Sequence, residues 1–166
     1  MLFVCGIAVL ALLLFVALPS YQLASATLSL SRALDGAQSV TVTEFVQYFD
    51  TSGRDLERRD RLLSTISPSA EQVREFQRAI GGVITVGSPL SHKRCFDPHH
   101  RVDVVRGDGS SVRLDICFQC DNFQLGDGAI ETMPRPWLQR LPKFFSSIGL
   151  PVRSREEYAK LNPNNT

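Results

Sequence analysis

The chain has 166 residues, 43% of them apolar, and 18 Lys+Arg against 17 Asp+Glu give a formal net charge of +1. That length and apolar share suit one domain with one core, and the near-balanced charge excludes a nucleic-acid partner held by bulk electrostatics. It contains no glycine-rich phosphate loop, no serine nucleophile elbow and no HExxH pair, so the common sequence signatures of nucleotide binding and hydrolysis are missing.

The first segment differs from the rest. Leu2 to Pro19 is an apolar run without a charge, and Leu23-Ala24-Ser25-Ala26 follows with the small-x-small pattern that a signal peptidase cuts. Residues 1–26 are therefore expected to be a signal peptide cleaved after Ala26. No Lys or Arg precedes the run, and its length also suits an uncleaved membrane anchor over residues 1–20. Both readings place the body of the protein outside the cytoplasm, in a periplasmic or extracellular setting or tethered to the envelope. Cys5 lies inside the apolar run.

Residues 27–38 are weakly helical and are expected to form a spacer or short helix ahead of a single domain over 39–161. From Ser39 to Phe49, β-branched and aromatic residues alternate as in a strand. Asp50-Thr51-Ser52-Gly53 reads as a turn. Beyond the charged run Arg54–Arg61, Leu62–Ile66 is expected to be a second strand, with a helix over Asp55–Leu63 as the competing assignment. Ser67 and Pro68 suit a helix cap and first position. Val73, Phe76, Ala79 and Ile80 then supply the apolar stripe of a helix over Ser69–Ile80 that stops at Gly81-Gly82. Val83–Lys93 is expected to be a connection, with His92 as an exposed loop residue.

A β-hairpin follows, with a register that its charges specify. Gly107-Asp108-Gly109 suits a three-residue loop with Gly109 in the left-handed position. That loop sets Val104 against Val112 and Val102 against Leu114 on an apolar face. On the other face Asp103 opposes Arg113 and Arg101 opposes Asp115, and a two-residue slip would set Asp103 against Asp115. Extended by two residues, the same register puts His99 across from Cys117. Asp121–Leu125 is a further short strand and Gly126-Asp127-Gly128 a turn. Trp137–Ile148 carries a helical stripe with Trp137 as a core anchor, and Pro142 is expected to kink or split it. Ser154–Leu161 reads as a capped terminal helix, and 162–166 as a polar tail.

The ends of the hairpin hold the residues with chemical potential: Cys95, His99 and His100 on one side, Cys117 and Cys120 on the other. Two thiolates at CxxC spacing, joined by a third cysteine and an imidazole, form a ligand set suited to tetrahedral zinc. Cleavage after Ala26 leaves an odd number of cysteines. A metal site explains that number, and so does one disulfide, from Cys95 to Cys117 or Cys120, with a single thiol left over. A redox dithiol or a cysteine nucleophile paired with a histidine is the remaining alternative.

Cys95, Phe96, Pro98 and His100, followed after the hairpin by Ile116, Cys117, Phe118 and Cys120, resemble the C-[FY]-x-P-x-H … I-C-F-x-C pattern of an uncharacterised group of small bacterial proteins, often exported. The resemblance implies export and supplies no activity. It aligns the group's histidine with His100, whereas the register favours His99, and both stay as candidates. The expected architecture is α+β: a small antiparallel sheet around the central hairpin, with two to three helices on one face. The expected role is an interaction domain for an envelope protein partner, with a structural Cys/His cluster. A thiol redox or cysteine-dependent enzyme is the alternative.

Overall fold

The computed structural model describes residues 25, 27–50, 57–81 and 95–162. The expected export segment before residue 25, the turn at 51–53, the connection with His92 and the end of the polar tail lie outside the described residues. Among the described residues no helix is long and apolar enough to cross a membrane.

The fold is α+β. A six-stranded antiparallel sheet has the order β2-β1-β3-β4-β5-β6, with strands β1 (Ala37–Asp50), β2 (Glu57–Ile66), β3 (His100–Arg106), β4 (Ser111–Cys117), β5 (Asn122–Leu125) and β6 (Ile130–Thr132). Helix α1 (residues 27–35) precedes the sheet. Helix α2 (Ala70–Ile80) follows β2, and α3 (Arg135–Ser147) and α4 (Arg155–Leu161) close the chain.

The β3–β4 hairpin has the register its charges specify. Val104 pairs with Val112, Val102 with Leu114, Asp103 with Arg113 and Arg101 with Asp115. Gly109 has φ +82, the left-handed conformation that a side chain would oppose, and its N–H bonds the Arg106 carbonyl at 3.0 Å. Arg101 is the hub of the polar face: it contacts Asp115 and Asp60 at 2.7 Å each and lies over the Phe45 ring at 4.5 Å.

On the opposite face Val40, Val42, Val102, Val104, Leu114, Ile116 and Phe123 are buried, and they join α1, α2 and α3 in one core. Trp137 of α3 anchors it, donating from Nε1 to the Ile80 carbonyl at the end of α2 (2.9 Å). The buried indole thus has a partner for its only polar atom.

Several local expectations change. Of the two expectations for 27–38, the short helix holds over 27–35, and it is no loose spacer, because Leu30, Ala33 and Leu34 are buried in the core. β2 is a strand from Glu57 onward, so the competing helix is absent over 57–63. Its charged residues are tolerated because β2 is an edge strand with a solvated side. Leu63 is an extra residue opposite the Glu44/Phe45 step, where the β1–β2 register shifts. The cap of α2 is Ser69, not Ser67: its side chain accepts from Gln72 N–H, and Gln72 returns a bond to the Ser69 N–H. Pro142 does not split α3, which runs unbroken through it. The missing N–H leaves the Leu138 carbonyl without its helical donor, and burial of Leu141, Phe144 and Phe145 around the proline holds the helix together.

Candidate functional site: the cysteine and histidine cluster

The segment 95–99 enters β3 beside the loop that joins β4 to β5. Cys95 and Cys120 form a disulfide across this junction, with Cα atoms 6.0 Å apart. Asn122 Nδ2 donates to the Cys95 carbonyl at 3.1 Å, tying the same two segments. Cys117 is a free, buried thiol. Burial pushes its pKa up, opposed by the backbone N–H groups of Asp97, Cys120 and Gln119 nearby.

The two histidines have different surroundings. The N–H of His99 bonds the Ile116 carbonyl at 3.1 Å, although Ile116 is the residue paired with His100. Both histidines therefore stand against one residue, and the expected placement of His99 across from Cys117 does not hold. The His99 Nδ1 donates to the Phe45 carbonyl at 3.2 Å, and Nε2 faces Asp97 at 3.6 Å. Its ring stacks on Tyr158 with centroids 3.7 Å apart. Burial lowers the His99 pKa; Asp97, the Phe45 bond and Glu44 oppose that. A hairpin register cannot anticipate this, because β1 and α4 supply the partners.

His100 takes the apolar face that its pairing with Ile116 dictates. Its ring lies 4.6 Å from Phe145 and 5.4 Å from Phe118, and Nε2 donates to the Leu150 carbonyl at 3.3 Å. Burial pushes its pKa down to about 4, so the ring is neutral near pH 7 with its lone pair on Nδ1.

The five candidate ligands are thus neighbours in the fold, but they do not form one ligand set. Among the described residues no group of three or more His, Cys, Asp or Glu side chains converges so as to hold a metal ion. In the disulfide form Cys95 and Cys120 are not thiolates, and each imidazole is committed to a backbone carbonyl.

A second polar cluster adjoins the first. Glu44 of β1 is buried, with 1% of its side chain exposed, and Arg153 reaches it through Nε at 2.6 Å from a side chain that is 34% exposed. Burial, with the Glu44 carboxylate beside it, pushes the Tyr158 phenol up. These residues connect α4 to the centre of the sheet. The sequence does carry a signal for Glu44: it occupies an apolar-face position in the series Val40, Val42, Glu44, Val46, where a charge needs a partner. Nothing local identifies that partner, which lies 109 residues away.

No family model matches the chain, and no curated protein and no solved structure matches it.

Proposed function

We propose that this chain is an exported or envelope-anchored α+β domain that binds a protein partner, with its cysteine cluster acting as a structural clamp. The Cys95–Cys120 disulfide carries the reading, because such bonds persist in oxidising compartments and are rare in the cytosol. The apolar Leu2–Pro19 run followed by Ala24-Ser25-Ala26 supports the same compartment. The resemblance to small exported bacterial proteins rests on the motif residues alone and points the same way.

The edge strand β2 supports a binding role. It is ten residues long, and Leu62 on it is 62% exposed. Arg58, Arg59 and Arg61 are exposed along it, with Arg58 also donating to the Phe96 carbonyl and Arg61 to the Leu161 carbonyl, and Asp60 is engaged by Arg101. An extended acidic segment of an envelope protein suits this edge, since a second copy would bring arginines against arginines.

Zinc is the second reading, for the reduced protein: Cys95, Cys117 and Cys120 would then be thiolates, with His99 or His100 as the fourth ligand. The raised pKa of Cys117 argues against the enzymatic alternative, since reactive cysteines need a depressed one. The test is fractionation of cells making the full chain, followed by thiol counting and metal analysis. We expect an envelope or extracellular location, one free thiol after residue 26 and no stoichiometric zinc. A cytosolic protein that releases three thiols and one zinc on denaturation with a chelator overturns the clamp and supports the second reading.

A further inference from the structure

Helix α4 is held to the sheet by few side chains. It has seven residues, and Tyr158 is its one buried side chain; the rest of Arg155–Lys160 is exposed. A helix that short is not stable alone in water, so it forms only while docked. At its far end Arg61 Nη1 donates to the Leu161 carbonyl at 3.0 Å, and Asn162 Nδ2 to the Gln47 carbonyl at 3.4 Å. The Tyr158 hydroxyl is buried without a hydrogen-bond partner among the described residues, so docking leaves its lost hydration uncompensated. Against Arg153 and Tyr158 the sheet presents polar groups, Glu44 and His99, both buried. Phe45 fixes His99 from two sides: its N–H bonds the His99 carbonyl at 2.9 Å, and its carbonyl accepts from His99 Nδ1 at 3.2 Å. The Glu44 carboxylate takes Arg153 Nε at 2.6 Å and Nη2 at 3.4 Å. The His99 ring takes Tyr158, stacked with centroids 3.7 Å apart and planes 17° apart. Asp97, with an exposed carboxylate 3.6 Å from His99 Nε2, adds negative charge at the rim. A buried ion pair adds little stability over apolar packing. A carboxylate gripped from two nitrogens beside a ring is instead a means of recognising a guanidinium and an aromatic group.

We propose that α4 is an autoinhibitory strap: its Arg153 and Tyr158 fill a receptor site of Glu44 and His99 that takes an arginine-and-aromatic segment of a partner protein once the strap opens. The strap is thus an internal copy of the ligand. Opening hydrates Glu44, Arg153 and the Tyr158 phenol together, so no charge is left buried and unpaired. The hinge is residues 151–154, because Leu150 before it is fully buried and accepts from His100. The apolar core therefore stays closed while α4 comes away, a sub-global opening rather than unfolding of the domain. A short link holds the strap at an effective concentration on the order of millimolar. A partner segment needs contacts beyond the two side chains to displace it, and Arg61 and the Gln47 carbonyl, freed as α4 leaves, supply them. The strap depends neither on the compartment nor on an acidic segment at the β2 edge.

Two measurements on the full chain test this. In hydrogen exchange of the wild type, amides of residues 158–162 should exchange at least tenfold faster than those of β3, each relative to its unstructured rate. Equal protection overturns the strap, since α4 would then open only with the whole domain. In the second, a fluorescent peptide of residues 151–162 is titrated with the chain and followed by anisotropy. It should bind the Arg153→Ala, Tyr158→Ala double variant at least tenfold more tightly than the wild type, whose own strap competes. Adding Glu44→Gln to the double variant should weaken binding at least tenfold, as should Arg153→Gln or Tyr158→Ala in the peptide. Absence of binding at millimolar concentration, equal affinity for wild type and double variant, or indifference to those changes overturns the receptor site. A double variant that no longer folds overturns the proposal as well, because a strap is dispensable to the sheet it covers.

Discussion

Removing the Cys95–Cys120 bond tests whether it is a clamp in the thermodynamic sense. The half-cystines are 25 residues apart, and the unfolded chain between them holds the whole β3–β4 hairpin as open loop. Cross-linking a loop of that length lowers unfolded-state entropy by an amount equivalent to about 3–4 kcal/mol at 25 °C. The suitable perturbation is Cys95→Ser with Cys120→Ala. Cys95 is exposed and accepts a hydroxyl, whereas Cys120 is buried, where an unpaired hydroxyl costs about 1–3 kcal/mol. Changing both positions also prevents a Cys117–Cys120 bond from forming in the variant. Urea unfolding should show a loss of about 3–4 kcal/mol, with up to about 1 kcal/mol more for the missing sulfur contacts. The m-value should rise, because the unfolded chain is no longer cross-linked and exposes more surface. A loss below about 1 kcal/mol with an unchanged m-value refutes the reasoning, since it would mean that the loop is closed in the unfolded ensemble without the bond.

Other outcomes follow from the buried groups. Arg153→Met leaves the Glu44 carboxylate buried without its counter-charge and should cost about 2–3 kcal/mol in urea melts, below the about 3–5 kcal/mol of a fully buried pair because Arg153 is partly solvated. Adding Glu44→Gln should recover most of that loss, and failure to do so means that the two residues are not coupled. His100 has a folded pKa of about 4 against about 6.5 when unfolded. The unfolded state therefore binds more protons between those values, and stability contributed by neutral His100 is present above pH 6.5 and lost as the pH falls toward 4. Unfolding at pH 7.5 and pH 5 should differ by about 2 kcal/mol from this residue, with His99 adding in the same direction. His100→Gln should flatten the difference, and an equal slope in the variant removes His100 as the cause. Ser69→Ala should cost about 1 kcal/mol and Ser67→Ala less than about 0.5 kcal/mol, a comparison that thermal melts resolve.

Much of the fold was legible because its signals are local. The Arg101–Asp115 and Asp103–Arg113 pairs, with Gly109 at the turn, specify the hairpin from within 15 residues of chain, and the structure has that register. The stripe of Phe76, Ala79 and Ile80 likewise marks the buried face of α2. β2 was harder to read, since its charged half, Arg58–Arg61, resembles a helix surface until β1 pairs with it. α1 was also hard, because Leu30, Ala33 and Leu34 form a stripe too short to distinguish a core helix from a spacer without the sheet beneath it.

The candidate site divides along the same line. The sequence by itself determined that three cysteines and two histidines would gather at the open end of one hairpin, because backbone register depends on neighbouring residues and short-range pairing. Only the tertiary structure decided what they became. His99 turned to Phe45 and Tyr158, His100 to Leu150 and Phe145, and Cys95 to Cys120, leaving Cys117 as a free, buried thiol. The orientation of a buried polar side chain follows the partner that satisfies its donors and acceptors. For both rings those partners come from β1 and the α3–α4 region, some 50 residues or more away in the chain.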